Sequence, residues 1–269
     1  MPPAPDSSAG KANAKRVGRF RAGTSGWSYP DWKDGFYPEG VAQRNFLDYY
    51  AGRFPATELN ASFYRLPSEK MIDGWLERTP ERFHFCVKLS RLITHSKRLV
   101  DCAEAIGVFV DRLAPLAGRM GPVLAQLPDS VAFDADRVEA FLEAWRDRTE
   151  WTLAIEPRHP GWLDSAARRL LRNHDAIMVR ADSGGHWPCA EVMADGDVYL
   201  RYHGREELYV SGYTPQKLGH EARRVAGWLE ERRNVWAFFN NTDAGHAWRD
   251  AEKLNEFVAR RMPEAVPSF

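Results

Sequence analysis

The run Trp151 to Trp162, W-T-L-A-I-E-P-R-H-P-G-W, is apolar until it ends in Glu156, Arg158 and His159. A carboxylate, a guanidinium and an imidazole so close together can move a proton and hold an anion. Pro157 and Pro160 stop a strand from continuing through them. The three polar groups therefore fall at the carboxyl end of a buried strand, the edge where parallel α/β proteins hold their ligands. Other apolar runs end in the same way, in Glu58 and Asn60, in Lys88, in Asp182, in Arg201 and His203, and in Asn240 and Asn241.

Each residue type suggests a task and also has a plainer explanation. An ammonium such as Lys88 inside a barrel has its pKa lowered by burial, which suits a nucleophile or general base, although a structural ion pair or anion binding also fits. Glu58 and Glu156 suit a general acid and base pair, or simply neutralise Lys88, Arg158 or Arg201. Arg65, Arg158 and Arg201 suit bidentate recognition of carboxylate or phosphate. His203 and His159 titrate near neutrality and suit proton transfer, or serve as hydrogen-bonded structural groups. On this reading Glu58, Lys88, Glu156 and His203 are the catalytic candidates. Trp27, Asn60, Tyr64, Arg65, Arg158, His159, Asp182, Arg201, Asn240 and Asn241 are the substrate-binding candidates. Aromatic loop residues beside charge, Trp27 and Tyr64 among them, suit sugars or unstacked bases.

The elements that must carry these residues alternate along the chain. Strands are expected at Phe20–Thr24, Ala56–Asn60, Phe83–Lys88, Val123–Leu127, Trp151–Glu156, Ala176–Asp182, Val198–His203 and Val235–Asn240. Helices are expected at Ala42–Arg53, Ser68–Arg78, Asp101–Leu116, Ala135–Arg148, Leu163–Asn173, Pro215–Arg232 and His246–Arg260, with none between Ser183 and Asp197. Such a series predicts an α/β fold, either a TIM-type (β/α)8 barrel or a doubly wound sheet. The first βα turn, Gly23-Thr24-Ser25-Gly26-Trp27, lacks a dinucleotide fingerprint, so no nucleotide cofactor is indicated. Strand parity also favours the barrel. Phe83, Phe85 and Val87 form an outward apolar set and leave His84, Cys86 and Lys88 inside; Leu153 and Ile155 leave Ala154 and Glu156; Val198 and Leu200 leave Tyr199, Arg201 and His203.

Lys+Arg and Asp+Glu both number 37, so no whole-molecule field draws nucleic acid or an anionic membrane. Three cysteines without a C-x-x-C pair, and no long apolar run or secretory h-region, predict a cytoplasmic protein with no membrane partner. Residues 1–17 read as a flexible tail and 18–269 as a single domain. The oligomeric state is left open. No H-x-H or H-E-x-x-H spacing marks a metal centre, so a divalent metal is a secondary reading, with Glu156, Asp182 and His203 among its ligands.

Seven stretches follow one another in order: Gly23-Thr24-Ser25-Gly26-Trp27-Ser28-Tyr29, Glu58 to Arg65 (E-L-N-A-S-F-Y-R), Phe85-Cys86-Val87-Lys88, Gln126-Leu127-Pro128, Glu156-Pro157-Arg158-His159, Tyr199 to Gly204 (Y-L-R-Y-H-G) and Phe239-Asn240-Asn241. Together they resemble the DUF72 (YecE-like) family. The resemblance runs from about Phe20 to the last helix; it implies a TIM-barrel-like fold and no particular reaction. The sequence departs from the family pattern at Pro157, where an aromatic residue is common, and at Asp250, where asparagine is frequent. The first departure puts the aim of Arg158 in question, and the second any hydrogen bonding by the final helix. The function expected is that of a hydrolase or lyase acting on a small anionic, phosphate-bearing substrate at the barrel mouth. The alternatives are a metal-dependent phosphodiester hydrolase and a non-catalytic barrel that binds nucleic acid or a sugar.

Overall fold

A computed structural model describes residues 17–267. The expected tail, residues 1–17, lies outside the described residues apart from Val17. Nine short strands occupy the eight expected positions: β1 (Phe20–Thr24), β2 (Ala56–Leu59), β3 (His84–Val87), β4 (Val123–Gln126), β5 (Leu153–Glu156), β6 (Ile177–Met178), β7 (Arg180–Asp182), β8 (Val198–Tyr202) and β9 (Val235–Phe239). β6 and β7 share the sixth position. They are separated only by Val179, whose N–H still donates to Ile155 O at 2.9 Å.

Every ladder is parallel, and strands neighbouring in space follow chain order, with β1 beside β9. This is the α/β barrel arrangement. The ladder is interrupted between β1 and β2, where a single bridge links Ser25 to Glu58, and between β3 and β4, where isolated bridges link Phe85 to Met120 and Lys88 to Leu124. Side chains fill the first seam. The Tyr50 hydroxyl accepts from Thr24 N at 2.8 Å and donates to Ala56 O at 3.2 Å, so backbone groups that would otherwise lack partners are satisfied. Gly23 makes the close approach feasible, because a Cβ there would lie 2.1 Å from Ala56 O.

The outer layer comprises α1 (Phe46–Ala51), the short α2 (Ala61–Tyr64), α3 (Glu69–Arg78), α4 (Ala103–Leu113), α5 (Ala135–Arg146), α6 (Ser165–Asn173), α7 (Pro215–Glu230) and α8 (His246–Ala259). The starts of the longer helices are legible in their caps. Ser68, Asp134, Asp164 and Thr214 each accept a backbone N–H from the first turn, and Pro215 opens α7. The link from Ser183 to Asp197 has no helix. No helix among the described residues is long and apolar enough to cross a membrane.

Two apolar clusters match the expected parity. Phe83, Phe85, Val87, Leu153, Ile155, Val198 and Leu200 pack outward beneath the helices. Ala56, Cys86, Leu124, Ala154, Ile177, Val179, Tyr199, Trp236 and Phe238 fill the barrel interior. At the amino end the Arg21 guanidinium lies 4.7 Å from the Trp236 ring centroid, and His84 packs edge-on against the same indole. The interior is thus apolar below and polar above, where Glu58, Gln126, Glu156 and Arg201 sit one step nearer the carboxyl ends.

Candidate active site

Arg201, near the end of β8, projects into the barrel and is 2% exposed. Its Nε and one terminal nitrogen donate to the two oxygens of Glu58 at 2.9 and 2.7 Å, and the other terminal nitrogen donates to Glu156. Glu58 also accepts from Ser25 Oγ at 2.6 Å and Tyr199 Oη at 2.9 Å. Burial opposes ionisation of Glu58, but the charge of Arg201 and these hydrogen bonds outweigh it and hold the carboxyl below its ordinary value. In Glu156 the same contest, with Arg201 again the main counterweight, leaves the carboxyl well below its usual range. For Arg201 the opposition of burial is overcome by Glu156 and Glu58, which raise its pKa further. Every nitrogen of this guanidinium has a carboxylate partner. Three of its five N–H groups are thereby committed, and Arg201 organises the two carboxylates, the internal pairing that is one of the readings from sequence.

Glu156 is different, because only one of its oxygens is bonded. Oε1 is buried without a hydrogen-bond partner and lies 3.5 Å from His203 Nε2 and 3.7 Å from Arg158 Nε, both of which are also buried and unpartnered. His203 directly follows β8, at the seventh strand position, with Asn240 Nδ2 3.2 Å from its Nδ1. With Nδ1 assigned as the acceptor of that bond, the ring proton belongs on Nε2, facing Glu156. Burial and the charge of Arg201 lower the His203 pKa against the pull of Glu156. The ring is therefore neutral at ordinary pH and offers Glu156 a dipole rather than a charge.

Lys88 follows β3 directly. Its Nζ donates to Gln126 Oε1 at 3.0 Å and lies 4.2 Å from the Phe63 ring centroid. Burial and the charge of Arg201 lower its pKa to about 8, with Glu156 and Glu58 pulling the other way. Arg158 stacks its guanidinium on Trp187, 3.6 Å from the ring centroid. Pro157 is buried directly before it, so the departure from the family pattern leaves Arg158 directed at the Glu156 carboxylate.

Not every expected residue reaches this centre. Asp182 faces the outer layer, because Ile177 and Val179 of the same strand position face inward. It lies 3.6 Å from Lys217 on α7 and 3.9 Å from Arg205. The expected metal ligands Glu156, Asp182 and His203 are therefore not brought together, and no group of three His, Cys, Asp or Glu suited to a metal occurs among the described residues. His159 uses Nδ1 to accept from Gly161 N at 3.0 Å and caps the turn Pro160–Leu163, a structural task. Asn241 is buried and donates to Ser211 O at 3.0 Å and to Asp250 Oδ2 at 2.8 Å. Asp250 also accepts from Tyr213 N, so aspartate at this position carries hydrogen bonds from the final helix rather than weakening them. Tyr64 and Arg65 are exposed, Tyr64 82%, and Tyr64 packs edge-on against Phe63 with 4.9 Å between centroids. Trp27 packs edge-on against Trp75, 6.0 Å between centroids. Asn60 stays at the strand end, its Oδ1 buried and without a partner.

Ser25, Phe63, His95, Gln126, Trp187 and Tyr199 also belong to the site, beyond the residues singled out as catalytic or substrate-binding. Parity places Tyr199 inside, and the same parity in β4 finds Gln126, beyond inward Leu124. His95, in the π-helical turn Leu92–Ser96, packs edge-on against Phe63 at 4.9 Å. Burial, then Lys88, Arg91 and Arg158, lower its pKa to about 4. Trp187, one of the aromatic loop residues beside charge, comes from the loop without a helix.

A family model described as protein of unknown function DUF72 matches residues 21–268. The chain is 32% identical over 272 residues to the UPF0759 protein YecE of Escherichia coli strain K12, covering 90% of this chain and 94% of that protein. It is 24% identical to the UPF0759 protein YunF of Bacillus subtilis strain 168, covering 88% and 93%. A DUF72 family protein of Thermotoga maritima superimposes with a TM-score of 0.80 at 31% identity, covering 89% of this chain and 99% of that one. One from Enterococcus faecalis superimposes with a TM-score of 0.76 at 20% identity, covering 89% and 95%. With the family motifs gathered at one end of the barrel and the family model spanning nearly all described residues, the chain belongs to the DUF72 family.

Proposed function

We propose that the protein is an enzyme of the hydrolase or lyase type that acts on a small anionic, phosphate-bearing substrate at the carboxyl end of the barrel. The observation that carries this reading is the convergence of His203 Nε2, at 3.5 Å, and Arg158 Nε, at 3.7 Å, on Glu156 Oε1, three buried polar atoms at ion-pairing distance whose hydrogen-bonding capacity no close bond within the protein takes up. A group left unsatisfied in a folded interior costs stability and is retained most readily where a ligand completes it.

Arg158, held flat by Trp187, takes the anion, and Lys88 adds positive charge beside it. Glu156 Oε1 accepts the proton, while neutral His203 donates a hydrogen bond from Nε2 to the reacting oxygen. Glu58 acts through Arg201 as a positioning residue. The non-catalytic alternative by aromatic stacking is disfavoured at Trp187, because Arg158 already covers one face of that indole.

The test is calorimetric titration with inorganic phosphate and a series of phosphate monoesters, followed by product analysis. Binding that disappears in Arg158→Ala, with turnover lost in Glu156→Gln while circular dichroism shows the fold retained at a lowered melting temperature, is the expected result. Binding that is indifferent to Arg158 would remove this assignment.

A further inference from the structure

Lys88 is the one mouth residue whose surroundings do not explain its charge. Among the described residues no carboxylate lies within ion-pairing distance of Nζ; its polar partner is the neutral Gln126 amide oxygen. The two nearest carboxylates, Glu58 and Glu156, are both bonded to Arg201. Arg201 on β8 and Arg158 after β5 add like charge across the barrel mouth. The Phe63 face beneath the amine and the backbone of Lys88 itself are fixed, the latter by Ser62 Oγ donating to Lys88 O at 2.7 Å. A primary amine held in place, with no carboxylate at ion-pairing distance and with Glu58 and Glu156 already committed to Arg201, has the environment of a nucleophile rather than of an ion-pair partner.

We infer that Lys88 forms a covalent imine with the carbonyl carbon of an anionic aldehyde or ketone whose carboxylate or phosphate lies on Arg158. This rests on the anion-site reading above and narrows its substrate to carbonyl compounds. In the first step the Nζ lone pair forms a C–N bond, the carbonyl π pair moves to oxygen, and the nitrogen's proton passes to that oxygen. In the second step the C–O bond breaks as solvent supplies one proton. The oxygen leaves as water and an iminium remains on Lys88. No oxidant or reductant is required. The electron-poor iminium then makes a neighbouring C–H or C–C bond labile, which is lyase chemistry, with Glu156 Oε1 as the proton acceptor.

The test uses the whole protein near neutral pH with three probes, glyoxylate, pyruvate and dihydroxyacetone phosphate, each followed by borohydride reduction, digestion and peptide mass mapping. The expected result is a reduced adduct on Lys88 forming at least about tenfold faster than on any other lysine, because a lowered pKa leaves far more of its amine uncharged. Preference for the first two probes or for the third tells whether carboxylate or phosphate is the anion. Adduct lost in Lys88→Met, which keeps a stem of similar length, supports the same conclusion. Labelling spread over surface lysines with no lead for Lys88 overturns the proposal. Titration with lactate and glycerol 3-phosphate, which carry the anion without a carbonyl, separates the two readings. Arg158-dependent binding of either without a Lys88 adduct overturns only the imine, whereas neither binding nor adduct overturns both.

Discussion

Arg201 grips Glu58 with two parallel hydrogen bonds, at 2.9 and 2.7 Å, inside a barrel whose lower half is apolar. Removing one member of such a buried pair leaves the other charge without compensation, which typically costs about 3–5 kcal/mol. Glu58→Gln and Arg201→Met are therefore expected to lower unfolding free energy by about that much, measured by urea denaturation. Loss of less than about 1 kcal/mol in both would show that the pair is not a structural keystone.

The same pair sets an acid limit. The Glu58 carboxyl is held below its unfolded value, so its contribution is complete above the ordinary carboxylate pKa and disappears as pH falls through the folded one. Stability should fall steeply from about pH 4.3 downward, and Glu58→Gln should flatten that slope. A wild-type and variant pair with parallel acid limbs would contradict this assignment.

Lys88 has the opposite sense on the alkaline side. Its pKa is lowered from 10.5 to about 8, so between these values the unfolded chain holds a proton that the folded chain has released. Stability from this residue therefore rises with pH across that window. Lys88→Met should stabilise the protein at neutral pH by about 2–3 kcal/mol, and the gain should vanish near pH 10.5. Melting curves of both proteins across the window give the comparison directly.

His203 offers a spectroscopic check. Nitrogen-15 spectra should show a neutral ring protonated on Nε2 throughout the neutral range, because Asn240 donates to Nδ1 and burial disfavours the cation. Asn240→Asp replaces that donor by an anionic acceptor and should move the proton to Nδ1 or charge the ring. An unchanged tautomer in the variant would dissociate Asn240 from His203.

At the β1–β2 seam, Tyr50→Phe deprives Thr24 N–H of its acceptor. A cost of about 1–3 kcal/mol is expected, the range for an unsatisfied buried donor. Gly23→Ala should be worse, since no side-chain rotation relieves a contact with Ala56 O.

Most of the barrel could be read from the chain because each strand contrasts its two faces. Phe85 against Cys86 and Lys88, or Leu200 against Tyr199 and Arg201, fixes which side meets the helices. The sixth strand position lacks that contrast: Met178 and Val179 are equally apolar, and Asp182 takes the outward face on which Arg180 pairs with Glu221 of α7 at 3.4 Å. The role of Arg201 was illegible for another reason. Its type suits anion binding and internal pairing alike, and only distances of under 3 Å to Glu58 decide for the pair. His159 shows the same limit, because an imidazole that caps a turn and one that moves a proton look alike in sequence. Trp187 reaches Arg158 from a loop with no periodicity to read.

The apolar plug of Trp236, Phe238 and Cys86 beneath the carboxylates gives the barrel a floor. The mouth is therefore a cul-de-sac, and whatever enters must leave by the same door. If cleavage there yields two fragments, the outer one departs first and the inner one waits behind it. Release is then ordered by geometry alone, and the fragment lodged deeper should be the competitive product inhibitor.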